Sequence, residues 1–320
     1  LRNVPIKKGY EGIIELNDPQ LQLQRPARQE TYRGFVFASL AEQGPSLDEW
    51  MGQGAKSAFD DICNRSPEGE CEIVMNCFRI VQHSNWKIFL ENQLDAVHPS
   101  VTHHSTGDAA AQEQKIYKQK TGEDPPIGYQ FLADFTLPIE KWDSFYTVGH
   151  PYGHTVLSGY MDLRPRDPIT VSHEEALTKA YGKERMDEIL STNVHHVLVY
   201  PCLSVQPPLQ QLRAIRPLAA NKTLTEIWHF RLKGAPEGVY DRSLQYFYHV
   251  NSPSTMVNAD DLNNFRACQD GLELDGGGDW VSLHRNYGQD PVKDGITTSV
   301  GGMSEQPMRN MMAAWKEYMS

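Results

Sequence analysis

Between residues 125 and 232 the chain strings together runs rich in β-branched and aromatic residues, joined by short Pro and Gly turns. GYQFLADFTLP and SFYTVGHPYGHTVLSGYMDL come first, and NVHHVLVYPCLSVQPP, LQQLRAIRPLA and LTEIWHFRLKG follow. CEIVMNCFRIVQHSNWK reads as one more strand upstream. A single helix interrupts the series: SHEEALTKAYGKERMDEIL, with Ser172 as its cap and apolar spacing at Leu177, Ala180, Met186 and Leu190. The other helical patterns flank it. SLDEWMGQGAKSAFDDI opens on a capping box of Ser46 and Glu49, and SLQYFYHVNSPSTMVNADDLNNFRACQDGL and EQPMRNMMAAWKEYM come last. Successive strands with helices gathered at both ends predict α+β with an antiparallel sheet. A parallel doubly wound sheet needs a regular alternation with helices that this sequence lacks.

The bulk properties exclude several classes of function. A formal net charge of -11 argues against a nucleic-acid partner, which needs a basic face. No run of 18 apolar residues exists, so no membrane-spanning helix is expected. Five cysteines (Cys63, Cys71, Cys77, Cys202, Cys268) form an odd set without CxxC spacing. They predict reduced, mostly packed thiols in a cytoplasmic protein. The first residues, LRNVPIKKGYEG, carry no apolar signal core and no transit-peptide composition. RQETYRGFVFASL after them is β-like, with Gly34 marking a turn or bulge.

Chemistry concentrates in residues 85–106, NWKIFLENQLDAVHPSVTHHST. An amphipathic helix is under way when Asp95, His98 and His103 arrive around Pro99. A mononuclear ferrous site that activates dioxygen takes two imidazoles and one carboxylate on one face. Residues five apart on a strict helix lie about 140° around its axis, too far for one metal. Pro99 disfavours a helical conformation at His98 and loosens the turn. Asp95, three residues before His98, shares its helical face and can accept a proton from the other imidazole nitrogen. By spacing alone two readings stay open: a solvated helix end, or half of a metal site.

The same run resembles a family signature. Asn85, Trp86, Lys87, Glu91, Asn92, Asp95, His98 and His103 all fall on the pattern of the large (alpha) subunit catalytic domain of Rieske-type ring-hydroxylating oxygenases. ETYRGFVFASL looks like the end of that family's Rieske domain. YPCLSVQPPLQQLRAIRPLAANKTLTEIWHF is similar to its central strands, MVNADDLNNF to the helix start bearing its distal carboxylate, and SEQPMRNMMAAWKEYM to its last helix.

The resemblance implies a helix-grip (START/Bet v1-like) domain over residues 46–320, with a curved antiparallel sheet around a long helix. Residues 1–45 would be the C-terminal remnant of an all-β Rieske domain. It implies Fe(II) held by His98, His103 and Asp261, the second acid of the DD pair, with Asp260 as a helix-capping or supporting group. Asn92 and His104 would support the site or wall the pocket, although His104 has a solvated role as its alternative. Asp95 would link the iron to the reduced [2Fe-2S] cluster of a neighbouring subunit. The implied activity is Fe(II)-dependent dioxygen activation and hydroxylation or cis-dihydroxylation of an aromatic compound. Electrons would come from NAD(P)H through a reductase or ferredoxin and a Rieske cluster. The implied assembly is a head-to-tail homotrimer, with or without a small beta subunit.

The chain also departs from the pattern. Val97 stands where the family has Tyr, and Cys202 where Asn is common, both expected to alter pocket polarity. A Rieske site needs CxH and CxxH, and no cysteine here has His two or three residues after it. The chain is therefore expected to begin just after the second cluster-binding segment. Alternatives are a Rieske-type monooxygenase or O-demethylase of an aromatic acid, a non-catalytic helix-grip ligand-binding protein, and a zinc hydrolase on the same ligands. Arg164, Arg166 and Arg309 are candidates to hold an aromatic carboxylate, with surface roles equally open to them. His195 and His196 should face opposite sides of a strand. His150 to His154 (HPYGH) reads as a turn, the C-terminal methionines as core filling, and the glycines at 276–278 as a loop.

Overall fold

The computed structural model describes residues 4–10, 12–13, 15, 18–161, 166–274 and 280–320, with the backbone alone at position 75. Contacts divide the chain into a first unit that ends at Leu47 and a second, Asp48–Ser320. The first unit carries a hairpin of β1 (Arg28–Tyr32) and β2 (Phe35–Ser39). Its two turn residues, Arg33 (φ 49°) and Gly34 (φ 84°), both take positive φ, as a two-residue hairpin turn requires. Arg28 donates to the carbonyls of Ala41 and Pro45 and so fastens the segment after β2.

Helix Leu47–Asn64 has all but its first residue in the second unit, which is built on one nine-stranded antiparallel sheet. Its strands are β3 (Cys71–Gln82), β4 (Tyr146–Gly149), β5 (Thr155–Gly159), β6 (Val194–Val199) and β7 (Leu203–Gln206). They continue with β8 (Gln211–Ala219), β9 (Lys222–Leu232), β10 (Val292–Lys293) and β11 (Ile296–Thr298). The order across the sheet is β10-β11-β4-β5-β6-β7-β8-β9-β3. Meander connections make β4 to β9 consecutive neighbours, while β3 returns to close on β9 with Phe78 opposite Ile227. No apolar–polar alternation is visible in NVHHVLVY because β6 is packed on both faces. One side meets helix Trp86–Leu94, and on the other His195 reaches Asp61 of the first long helix.

Helix Trp86–Leu94 is the centre of the main core. Trp86, Phe89, Leu90 and Leu94 pack with Leu157, Leu198 and Ile215 of the sheet, with Phe265 of helix Met256–Leu272, and with Met311 and Ala314 of helix Gln306–Met319. Complete burial of Leu90 alone contributes about 1.5–3 kcal/mol. This is the expected α+β helix-grip arrangement, and its helical side is shared by three helices.

Three local expectations are corrected. GYQFLADFTLP, read as a strand, forms helix Ile127–Ala133 and a 3-10 turn Asp134–Thr136. Periodicity cannot separate strand from helix in so short an apolar run, and Gly107 lets the neighbouring helix His104–Thr121 approach closely here. A Cβ on it would sit 2.8 Å from Thr136 Cγ2. The helix expected to start at Ser172 starts at Pro168, capped by the Asp167 side chain on Thr170 N (2.9 Å), and Gly182 (φ 84°) separates it from helix Lys183–Ile189. Asp-Pro is the stronger start signal, because Pro is pre-set for the first helical position. The thiols are free, but Cys63 alone is buried, while Cys202 and Cys268 are exposed. Among the described residues no helix is long and apolar enough to cross a membrane.

Candidate metal centre

The helix Trp86–Leu94 stops at Asp95, whose backbone is extended (φ -90°, ψ 124°). A second helix, His98–Thr102, follows, with Pro99 in its first turn, where a missing N–H costs nothing. Pro99 therefore starts a helix and does not loosen one, as the sequence had suggested. The break lies four residues before Pro99, at Asp95. Its Oδ1 accepts from Val97 N and its Oδ2 from His98 N, both at 2.9 Å, so Asp95 ends one helix and caps the next. His103 (φ -101°, ψ 8°) is a second joint, between His98–Thr102 and His104–Thr121. The joint at His103, and not a turn relaxed by Pro99, lets residues five apart face one side, while the break at Asp95 sets the direction of His98 relative to the first helix.

His98, His103 and Asp261 each offer a ligand atom, and these atoms lie within 4.8 Å of one another. Among the described residues this is the one such cluster of three His, Cys, Asp or Glu groups. His103 Nε2 is 3.1 Å and His98 Nε2 3.9 Å from Asp261 Oδ1. Asp261 comes from helix Met256–Leu272, more than 150 positions along the chain, and its companion Asp260 has Oδ2 3.7 Å from His103 Nδ1, beyond hydrogen-bond reach.

The protons are arranged for metal binding. His98 Nδ1 lies 3.0 Å from Asp95 Oδ2 and donates to it, which leaves the Nε2 lone pair free. Asn92 Nδ2 donates both to that lone pair (3.0 Å) and to Asp261 Oδ1 (3.2 Å), at the place where donors would otherwise meet a cation. His103 is 1% exposed, and its Nδ1 has no hydrogen-bond partner. An imidazole buried without a partner fits a ring fixed by coordination at its other nitrogen. Two imidazoles and one carboxylate, with these protonation states, suit one divalent ion. Burial pushes the Asp95 carboxyl up, but the hydrogen bond and charge of His98 and two backbone amides outweigh it, holding Asp95 below the usual range. Beside it, burial pushes Glu91 up to about 7 against the pull of Lys87, with Asp95 and Glu305 adding to the rise.

The cluster opens on a cavity of about 250 Å³. Phe131, Phe135, Trp142, Phe145 and Val257 supply an apolar wall, while Arg213, His196 and Asp134 supply polar groups. Arg213 and Asp134 escaped the sequence reading. A trace of Arg213 was present in QLRAIRPLA, where it is in phase with the inward-facing Ile215. Asp134 was hidden inside the misread strand. Burial alone pushes Asp134 up from 3.8 to about 7.

A carboxyl raised on folding stabilises fully below its unfolded value, and that share is lost as pH rises through about 7. Asp134→Asn is therefore expected to match the parent protein near pH 4 and to exceed it by about 2–4 kcal/mol above pH 7. Chemical denaturation at both pH values checks this.

Other candidates fall elsewhere. His104 Nε2 is 3.4 Å from Asp108 Oδ2, and both side chains are half exposed, so His104 is no part of the pocket wall. Val97 precedes the second helix and lies outside the cavity lining, and Cys202 sits in the exposed β6–β7 turn, so neither sets the polarity of this pocket. Arg166 is exposed and faces Glu174, and Arg309 is tied to Asp290 at 2.6 Å, so neither reaches the cavity. Arg164 and the glycines at 276–278 lie outside the described residues. His195 and His196 do face opposite ways: His196 lines the cavity, while His195 Nδ1 meets Asp61 Oδ2 at 2.7 Å. Ser57 Oγ is 3.3 Å from His195 Nε2 but donates to the Gly54 carbonyl at 2.7 Å, so its proton is turned away from the imidazole. His154 is fixed structurally, between the Trp50 carbonyl and the Tyr200 amide.

Comparison with known proteins adds the following. Residues 73–320 match the family described as ring hydroxylating alpha subunit (catalytic domain). The chain is similar to toluate 1,2-dioxygenase subunit alpha of Pseudomonas putida, 30% identical over 278 residues that cover 86% of this chain and 57% of that protein. It is also similar to the anthranilate 1,2-dioxygenase large subunit of Acinetobacter baylyi, 29% identical over 83% of this chain and 55% of that one. The chain thus spans little more than half the length of these relatives. Among solved structures, naphthalene 1,2-dioxygenase with indole in its active site shares the fold, with a TM-score of 0.71 at 21% identity over 98% of this chain and 69% of that one.

Proposed function

The chain belongs to the family of ring-hydroxylating alpha-subunit catalytic domains, and on that premise we propose that it is the oxygenase component of a ring-hydroxylating dioxygenase. His98, His103 and Asp261 would hold Fe(II), which supplies dioxygen activation when bound. The observation that carries this reading is the convergence of two Nε2 atoms and one carboxylate oxygen on the lining of a cavity that Phe131, Phe135, Trp142 and Phe145 also line. The same ligand set suits zinc, and Asp134 offers a carboxyl in the cavity, so a hydrolase has its components; family membership favours the oxygenase.

Each residue has a task in this proposal. His98 is kept as an acceptor at Nε2 by its Nδ1–H bond to Asp95. Asn92 donates to the carboxylate and holds Asp261 in position. Phe131, Phe135 and Trp142 exclude water and position a flat ring. Asp95 is the residue through which electrons from an adjacent subunit's [2Fe-2S] cluster would enter, drawn from NAD(P)H by a ferredoxin or reductase. That route needs a closed head-to-tail assembly, a homotrimer in this reading, with or without a beta subunit. The hairpin unit, residues 1 to about 45, would be the end of a Rieske domain and residues 46–320 the catalytic domain. The relatives' names span aromatic acids and naphthalene, so the reaction proposed is hydroxylation of an aromatic compound, as a cis-dihydroxylation.

The test is oxygen uptake by the full-length protein with its ferredoxin and reductase. Uptake stimulated by aromatic substrate, with a dihydrodiol product, is expected. Substrate hydrolysis without oxygen uptake would overturn the proposal.

A further inference from the structure

Arg213 is a buried cation that no carboxylate of the described residues pairs with. It lies on β8, is 5% exposed, and lines the same cavity as His98, His103 and Asp261. Its Nη1 donates to Gln93 Oε1 (2.6 Å), and its Nη2 to Gln206 Oε1 (3.0 Å) and Gln211 Oε1 (3.3 Å). All three acceptors are neutral amides, and Nε is buried without a partner. Arg65 and Arg242, also largely buried, are each paired with an aspartate. A guanidinium removed from water and left unpaired is expensive, because neutral acceptors do not replace its lost hydration.

The surroundings do not provide the missing anion. Burial lowers Arg213 to about 10, against the pull of Tyr246 and Asp261. Asp261 is engaged by the cation the triad would hold. The Tyr246 hydroxyl is pushed up to about 12, chiefly by burial, and stays neutral. Burial, and then the Arg213 charge, hold His196 down to about 3, while burial alone holds Asp134 up to about 7. A divalent ion in the triad leaves this wall in need of negative charge. Phe131, Phe135, Trp142 and Phe145 line the same cavity, and a space of about 250 Å³ lies just below the usual range for ligand sites, suiting one ring over fused rings.

We propose that Arg213 binds a carboxylate carried on the aromatic ring, so that the substrate of this site is a single-ring aromatic acid. The glutamines take both Nη2 protons and one Nη1 proton, so the second Nη1 proton is left to meet a carboxylate oxygen in a charge-assisted hydrogen bond, and the glutamine cradle fixes the guanidinium's direction without neutralising it. The ring is then held between the carboxylate anchor and the ligand cluster, so Arg213 decides which edge of the ring is presented. This rests on the reading of the cavity as a ring-hydroxylating site.

The test is calorimetric titration of the full chain with benzoate, benzamide and toluene, in metal-free form and anaerobically with Fe(II). Benzoate is expected to bind at least about tenfold tighter than either neutral ligand, including in the metal-free protein, where iron cannot hold the carboxylate. Arg213→Gln should weaken benzoate by about 30-fold and leave benzamide within about threefold, and Arg213→Lys should keep part of the preference. Neutral ligands binding the parent protein as tightly as benzoate would overturn the proposal, and this comparison needs no variant to fold. So would an unchanged benzoate affinity in an Arg213→Gln protein with native circular dichroism. Iron is assayed in the same samples. Benzoate selectivity without iron retention overturns the oxygenase reading alone, and iron retention without selectivity overturns the carboxylate anchor alone.

Discussion

His103→Ala is expected to abolish iron retention and reduce substrate-stimulated oxygen uptake to background. His103 is almost fully buried at the joint between two helices, and its Nε2 is the ring nitrogen nearest Asp261 Oδ1, at 3.1 Å. Removing it leaves one imidazole and one carboxylate, a set that holds Fe(II) weakly and leaves too many positions open. The fold should survive, since the ring's packing is confined to neighbours such as Phe135, whose centroid is 5.0 Å away. Metal analysis after anaerobic Fe(II) loading, beside a far-UV spectrum and a melting curve, measures both effects. A folded variant that keeps its iron would remove His103 from the ligand set.

Asp95→Ala is expected to have the second largest effect, because one side chain serves two structures. Its Oδ2 receives His98 Nδ1 and His98 N, and its Oδ1 receives Val97 N. Losing the imidazole partner should cost about 10–100-fold in iron affinity, and losing the cap about 1 kcal/mol of stability. Asp95→Asn is intermediate: it keeps one acceptor oxygen, enough for Val97 N, but replaces the other with an NH2 that faces the His98 N–H and Nδ1–H. The asparagine variant should therefore melt between the parent protein and Asp95→Ala and fall short of the parent in iron affinity. If Asp95 also carries electrons, oxygen uptake per bound iron, measured at saturating Fe(II), will fall in both variants. Unchanged uptake per iron would confine Asp95 to holding His98.

The parts of this molecule that were legible in its sequence are those set by local pattern. Strands β3, β8 and β9 were plain because their apolar residues run between turn signals. Asp95, His98 and His103 were noticed because an acid, two imidazoles and a proline crowd one helix end. How they meet was misjudged, because a break at Asp95 and a joint at His103 are backbone events that spacing does not report. GYQFLADFTLP was misread because eleven residues of mixed apolar pattern fit either period, and contact with a neighbouring helix decides between them. Asp134 went with it. Arg213 was passed over for Arg164, Arg166 and Arg309, since a charge within a strand becomes informative only when the sheet shows which face is closed. Pairing Asp261 with residues so far away in the chain came from family resemblance, because spacing carries no information at that distance.

The central claim is that His98, His103 and Asp261 bind one ferrous ion, and iron stoichiometry in Asp261→Ala against Asp260→Ala tests it most directly. The two aspartates are adjacent on one helix and both near His103, so the pair controls for helix stability and local charge. After anaerobic Fe(II) loading and removal of free metal, the parent protein and Asp260→Ala should each retain a single iron per chain, and Asp261→Ala none. An Asp261→Ala protein that keeps its iron, or an Asp260→Ala protein that alone loses it, would contradict the account.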